Sequence, residues 1–233
     1  MSELLFDLPL PALPVLGRTA LFPIRRIFCI GRNYAAHARE MGKDPQREPP
    51  FFFMKPATAL VAVTDDSVSI PYPAGTTDFQ HEIELVAAIG TRAAGVEPEE
   101  ALQHVFGYAV GIDMTRRDLQ LAARQAGRPW ESGKSFAYSA PTGPIRQTRT
   151  DEHPQRGDIW LSVNGQMRQR ADIVEMIWTV AESISQLSRL DPLEPGDLLF
   201  TGTPAGVGPL APGDRVQGGV AGIGEIGLRI ASG

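Results

Sequence analysis

The chain has one cysteine, Cys29, in 233 residues. No internal disulfide can form, and a lone thiol suits a reducing compartment. No apolar run approaches the ~18 residues that a membrane-spanning helix needs. The apolar start, MSELLFDLPLPALPVLG, is acidic and has no basic segment. Four prolines by Pro23 break it, so it reads as an arm lying across a surface and not as a signal peptide. A basic face is also missing. Lysine and arginine number 22 against 27 aspartates and glutamates, for a net charge of −5. The pairs Arg25-Arg26 and Arg116-Arg117 are too short to track a polyanion, which excludes nucleic acid as a partner. No repeat and no linker divides the chain. The expectation is a soluble, cytoplasmic globular protein with no membrane partner.

What is abundant is glycine and proline, 24 and 20 residues, close to a fifth of the chain. With 42% hydrophobic residues the chain still folds, but a lean helical bundle is excluded. Strands and loops should dominate, giving an α+β, mainly β class. Residues 1–24 read as the proline-rich arm and 25–233 as one catalytic domain. Short strands are expected at Arg26–Gly31, Glu82–Ile89, Val105–Asp113, Asp197–Thr201, Arg215–Gly219 and Ile223–Ile230. Helices are expected at Tyr34–Met41, closed by Gly42, at Pro98–His104, and at Arg117–Gln125, stopped by Gly127. The run IWLSVNGQMRQR predicts a hairpin turning on Asn-Gly. Asp172 is placed as the cap of a long helix reaching about Leu190, with Ile173, Ile177, Val180, Ile184 and Leu187 on one stripe.

Two nucleotide-binding patterns fail on context. Gly222-Ile-Gly224-Glu-Ile-Gly227 satisfies G-x-G-x-x-G, but it sits in strand-like sequence instead of opening a helix. The segment Gly127–Ser135 resembles a phosphate loop with one residue too many, and Pro129 and Trp130 would crowd the backbone nest. His81-Glu82-Ile-Glu84 is no zinc-protease helix, since Leu85 stands where a second histidine should be.

Four features survive. Glu82 and Glu84 lie two apart, so on a strand both carboxylates share a face, with apolar sequence starting at once. Like charges at that range raise each other's pKa, and a hard divalent cation, Mg²⁺, Mn²⁺ or Ca²⁺, would remove the conflict. A solvated edge strand with alternating glutamates is the plainer alternative. Asp113 ends an apolar strand; it is either a cap for the following helix or a third acidic ligand. His37 and Glu40, three apart on a short helix, share a face as a base and its orienting carboxylate would, or as a surface pair. Lys134, between Gly133 and Ser135, is a loop cation that alone indicates nothing.

Taken with GRNYAAHAREMG (Gly31–Gly42), PPFFFMKP (Pro49–Pro56), HEIELVAAIG (His81–Gly90), GYAVGIDMTRRDLQ (Gly107–Gln120), GRPWESGKSF (Gly127–Phe136), VNGQMRQ (Val163–Gln169) and GDLLFTGTPAGVGPL (Gly196–Leu210), these features make the chain resemble the fumarylacetoacetate hydrolase superfamily from about Ile24 to Ile230. Its short chain and GRNYAAHAREMG block resemble the acylpyruvate hydrolases. The resemblance implies a mixed β-sandwich roll with short peripheral helices, assembled as a homodimer. It implies Glu82, Glu84 and Asp113 as ligands of Mg²⁺ or Mn²⁺, with Ca²⁺ as a substitute. It implies His37 and Glu40 as a water-activating dyad on a lid helix, and Lys134 as the cation completing the metal site. Arg117, Gln120 and Thr203 are implied as substrate contacts. The implied reaction is hydrolysis of the C3–C4 bond of a small 2,4-diketo acid, 3-fumarylpyruvate of gentisate breakdown above all. Another acylpyruvate, or decarboxylation of oxaloacetate, would use the same site. A fumaryl tail ends in a carboxylate and wants a cation, for which Arg32, Arg39 and Arg116 are candidates. A non-catalytic metal-stabilised binding protein is the alternative of another class, and it would have no use for the His37–Glu40 dyad.

Overall fold

Strand Ile83–Ile89 is buried along its whole length and lies in the middle of the largest sheet. The computed structural model describes residues 5–40, 48–149 and 152–232. The eight-stranded sheet runs in the order Phe52–Lys55, Arg26–Ile30, Asp197–Phe200, Ile83–Ile89, Val105–Ile112, Ala140–Thr142, Leu60–Ala62, and Arg146–Gln147 also pairs with Val105–Ile112. A five-stranded sheet of Gln166–Asp172, Asp158–Val163, Arg215–Val220, Gly224–Ala231 and Ser69–Pro71 packs against one of its faces. Alternation along the central strand divides the interior. Ile83, Leu85, Ala87 and Ile89 face one core with Leu161, Val216 and Leu228, and Val86 and Ala88 face a second core with Cys29, Leu198 and Phe200. A strand buried on both faces reads as a continuous apolar run, as this one does.

The expected mainly β, α+β roll is what the chain forms, with short helices outside it. The Asn-Gly hairpin closes as predicted, with φ of 52° at Asn164 and 77° at Gly165. The literal G-x-G-x-x-G segment runs into strand Gly224–Ala231. Part of the proline-rich stretch is itself a hairpin, Ala12–Pro14 with Leu21–Pro23, whose Leu13 and Phe22 join Val15 and Ile24 in the second core. Of the helix expected at Tyr34–Met41, the structure shows Ala35–Glu40; Met41 and Gly42 lie outside the described residues.

One helix expectation needs correction. Asp172 caps only the 3-10 turn Ile173–Glu175, and the long helix starts at Val180 under a second cap, Thr179. The reason is tertiary. Asn33 takes the Trp178 N–H on its Oδ1 at 2.7 Å and donates to the Trp178 carbonyl, and its own carbonyl accepts the Ile177 N–H at 2.8 Å. Those backbone groups are thereby withdrawn from any helix through 176–178, and two capping boxes replace one. Ile173, Val180, Ile184 and Leu187 still reach the first core. Among the described residues no helix is long and apolar enough to cross a membrane.

Candidate metal centre and active site

The acidic residues meet because of strand register. Ile83 pairs with Ile112 and Glu84 with Gly111, and the Asp113 N–H donates to the Glu82 carbonyl at 2.8 Å. Asp113 therefore stands opposite Glu82 where the two central strands end. Glu82 occupies a one-residue break between strands Phe79–His81 and Ile83–Ile89, so the expected strand begins one residue later. All three side chains are buried, which removes the solvated-edge reading, and helix Arg117–Gln125 begins with no side-chain cap, which removes the capping role for Asp113. One ligand atom from each carboxylate lies within 4.8 Å of the others.

Charge is distributed unevenly over this triad. Lys134, fully buried, donates to Glu82 Oε2 at 2.8 Å, Asp113 Oδ2 at 2.7 Å and Thr115 Oγ1 at 2.7 Å. Burial favours its neutral amine, but Asp113 and Glu82 outweigh that and hold the ammonium above its ordinary pKa. Glu82 is also bound by the Arg117 guanidinium. Burial alone would raise the Glu82 pKa, yet Lys134 and Arg117 prevail and pull it below the carboxylate range. Among the described residues no cation is ion-paired with Glu84, although Lys134 acts on it from a distance. Glu84 accepts the Gly202 N–H at 2.7 Å, while burial, Asp113 and Glu82 push its pKa well up. Asp113 Oδ1 is ion-paired with the buried Lys55 ammonium at 2.8 Å. A buried carboxylate with no ion-pair partner among the described residues, two further carboxylates with ligand atoms within 4.8 Å of it and an all-oxygen donor set fit one hard divalent cation such as Mg²⁺ or Mn²⁺.

Gly202 must be glycine. Its φ is +90°, and a Cβ there would meet the Asn33 Cβ at 2.6 Å. The same loop holds the histidine helix: the Gly206 N–H donates to both Glu40 carboxylate oxygens, at 3.1 and 3.2 Å, and Glu40 Oε2 faces His37 Nδ1 at 3.1 Å. A carboxylate can only accept, so Nδ1 carries a proton, and in the neutral imidazole that leaves Nε2 as the acceptor. His37 is buried and lines the same cleft as the triad.

The cleft is also lined by Arg32, Phe53, Arg117, Gln120, Arg124, Trp130, Lys134 and Thr203. The structure thus brings together His37, Lys134, the triad and the expected contacts Arg32, Arg117, Gln120 and Thr203. Glu40 stands behind His37. Arg117 is already engaged, donating to Gln80 and Gln120 as well as Glu82. Thr203 Oγ1 accepts from Gln169 Nε2 at 2.8 Å, which leaves its hydroxyl proton free to donate. Arg39 is exposed on the histidine helix, and the Arg116 guanidinium covers the Phe136 ring at 4.3 Å, so neither lines the cleft.

Sequence reasoning passed over three residues. Lys55 ends strand Phe52–Lys55 on the face of Phe53, a parity readable in FFMK. Gln169 is buried in the hairpin. Its amide donates to Thr203 and to the Pro204 carbonyl, and accepts from the Ile83 N–H and His81 Nδ1. His81 is therefore protonated on Nδ1, and burial holds its pKa down. Arg124 follows Gln120 by four residues, which the helical period could have shown.

A buried carboxylate triad in a cleft of the β-roll, with a carboxylate-oriented imidazole lining the same cleft, fits the class of hydrolytic enzymes that work with a hard divalent cation. Comparison with known proteins agrees. Residues 26–231 match the fumarylacetoacetate (FAA) hydrolase C-terminal family. The fumarylpyruvate hydrolase of Pseudomonas aeruginosa, solved in complex with Mn²⁺ and pyruvate, is 52% identical with a TM-score of 0.97, covering 99% of this chain and 100% of that one. A fumarylpyruvate hydrolase from Ralstonia sp is 41% identical over 80% of this chain and 95% of its own. A mitochondrial oxaloacetate tautomerase of Homo sapiens is 38% identical over 85% and 88%. The chain belongs to the fumarylacetoacetate hydrolase family and is an enzyme of its hydrolase type.

Proposed function

We propose that the protein hydrolyses the C3–C4 bond of a 2,4-diketo acid, with 3-fumarylpyruvate as substrate and fumarate and pyruvate as products. The observation that carries this is that His37 and the triad line one cleft. Glu82, Glu84 and Asp113 would hold the divalent cation. When bound, that ion supplies Lewis-acid chemistry, polarising the oxo-acid end and stabilising the enolate charge that develops there.

The chain's own groups do the rest. His37 Nε2 takes a proton from water while Glu40 fixes the ring and stabilises the imidazolium. The water oxygen bonds to C4, C3–C4 breaks with its electron pair left on C3, and the imidazolium proton returns to C3 as pyruvate forms. Lys134 keeps positive charge beside the developing enolate. Thr203 and Gln120 orient the substrate, and Arg117 holds Glu82 in place. The same proposal includes Mg²⁺ as the resident ion, a cytoplasmic homodimer and a place in gentisate breakdown; family likeness supports these. The relatives named oxaloacetate tautomerase favour a second reading, in which the site acts on oxaloacetate without cleaving a diketo acid.

Fumarylpyruvate, acetylpyruvate and oxaloacetate, each followed spectroscopically with and without Mg²⁺, separate the readings. Metal-dependent loss of the diketo-acid absorbance with release of pyruvate is expected. Turnover of oxaloacetate alone would replace the first reading with the second, and full activity in excess EDTA would remove the metal from either.

A further inference from the structure

Two guanidinium groups in the cleft take no part in the chemistry above. Arg117, Gln120 and Arg124 follow at i, i+3 and i+7 on helix Arg117–Gln125, and all three line the cleft. At ~1.5 Å per residue, Arg124 stands about 10 Å along the helix from Arg117. Arg117 is bound to Glu82 at the triad, so Arg124 marks the far end. Arg32 is held there too, its guanidinium 5.2 Å from the Phe51 ring centroid and 5.8 Å from that of Trp130. The two rings meet edge-on at 5.1 Å. The local backbone is shaped for this. Arg32 has a left-handed φ of 59°, and a Cβ on Gly31 would fall 2.0 Å from the Phe51 ring. Burial and then Arg124 lower the Arg32 pKa, so the two cations lie within electrostatic reach of each other. Among the described residues neither guanidinium is hydrogen-bonded to or ion-paired with a carboxylate. Between this cationic end and the triad run two rings of the cleft wall: Trp130 lies under Arg32, the Phe53 ring is 5.9 Å from that of Trp130, and Lys134 Nζ is 5.3 Å from the Phe53 ring.

We propose that Arg32 and Arg124 together receive the second carboxylate at the tail of the substrate, so that this pair selects a 2-oxo diacid over the matching monoacid. The head of that substrate rests on the diketo-acid reading; the tail site does not. Length supports the assignment. An extended chain advances ~3.6 Å for every three bonds. The six bonds of a seven-carbon diacid span about 7 Å, which the two arginine side chains extend to meet, whereas a four-carbon diacid spans about half of that. A conjugated or saturated hydrocarbon segment then lies against Phe53 and Trp130, and the paired guanidiniums supply bidentate donors to the terminal carboxylate.

The test uses a matched pair that the enzyme cannot cleave, because neither ligand has a 4-oxo group: 2-oxoheptanedioate and 2-oxoheptanoate, titrated calorimetrically into the Mn²⁺-loaded protein. The wild type should prefer the diacid at least ten-fold. The preference should collapse toward one in Arg124→Leu and in Arg32→Leu, and Arg124→Lys should keep part of it. Equal affinity for both ligands in the wild type, or a preference that survives both leucine variants, overturns the proposal. A protein that prefers the diacid but cleaves no 2,4-diketo acid would retain the tail site and lose the proposed reaction. Hydrolysis of fumarylpyruvate without any preference for the diacid would do the reverse.

Discussion

Replacing Lys134 by methionine probes the electrostatic frame of the site without altering its volume much. The side chain is buried and bridges Glu82 Oε2 and Asp113 Oδ2 at 2.8 and 2.7 Å. Removing one partner of a buried ion pair costs about 3–5 kcal/mol, because the other charge stays buried. Here Glu82 keeps Arg117 and Asp113 keeps Lys55, so the lower end, about 3 kcal/mol, is expected. For a chain of this size, 1 kcal/mol shifts Tm by about 2–4 °C, so metal-free Lys134→Met should melt about 6–12 °C below the wild type. The sign of the pH dependence follows from Glu82. Its pKa in the fold is depressed, so it contributes stability above its ordinary value of 4.5 that is lost as pH falls through the depressed value. Taking away Lys134 removes part of that contribution. The deficit should therefore be full at neutral pH and narrow as acid protonates the carboxylates. Saturating Mn²⁺ should restore more to the variant than to the wild type, since the ion replaces the missing charge. Scanning fluorimetry with and without Mn²⁺ at several pH values measures all three. A metal-free variant that melts with the wild type, or whose deficit grows in acid, would refute the charge balance described above.

Two further outcomes follow from the same geometry. Glu84 has its pKa raised in the fold, so without metal the folded state holds its proton more tightly than the unfolded chain, and stability falls as pH rises from 4.5 toward the raised value. A divalent ion needs the carboxylate, so the Tm gain from Mn²⁺, about 5–10 °C at a hundred-fold excess over Kd, should grow with pH across that window; a gain independent of pH would contradict it. Gln169→Leu strands buried partners on Thr203, Pro204, Ile83 and His81, at about 1–3 kcal/mol for each one left unpaired. Tm should drop and kcat with it, and a leucine variant matching the wild type in both would mean that the amide network is idle.

Much of the candidate metal site could be read from the chain because it is built from strand parity. Glu82 and Glu84 share a face by their spacing alone, and Asp113 ends the neighbouring apolar run. Their common burial and the register that sets Asp113 opposite Glu82 needed the fold, since nothing in HEIELVAAIG says which strand pairs with it. The helix misplaced onto Asp172 shows the other limit. Asp172 and Thr179 both carry legitimate capping signals, and the choice between them is made by Asn33, more than 130 residues earlier in the chain. Lys55 and Gln169 escaped notice for the same reason: a lysine in a strand or a glutamine in a hairpin is ordinary until its neighbours from distant segments are known.

The loop that follows strand Asp197–Phe200 gathers these dependences. Gly202 holds Glu84 by a backbone N–H, Thr203 and Pro204 are tied by Gln169 to the break that positions Glu82, and Gly206 holds Glu40 behind the histidine. Candidate metal ligands, a hydroxyl that lines the cleft and the candidate base are therefore indexed to one short stretch, TGTPAG, whose glycines free the backbone to face the site. Backbone donors cannot swing away as side chains do, so base and carboxylates are fixed relative to each other before any substrate arrives. Such prior placement lets a site act on developing charge without reorganising at the moment of reaction. In this light the high glycine content is not a surplus of loops, because in this loop the glycines let the main chain serve as part of the site.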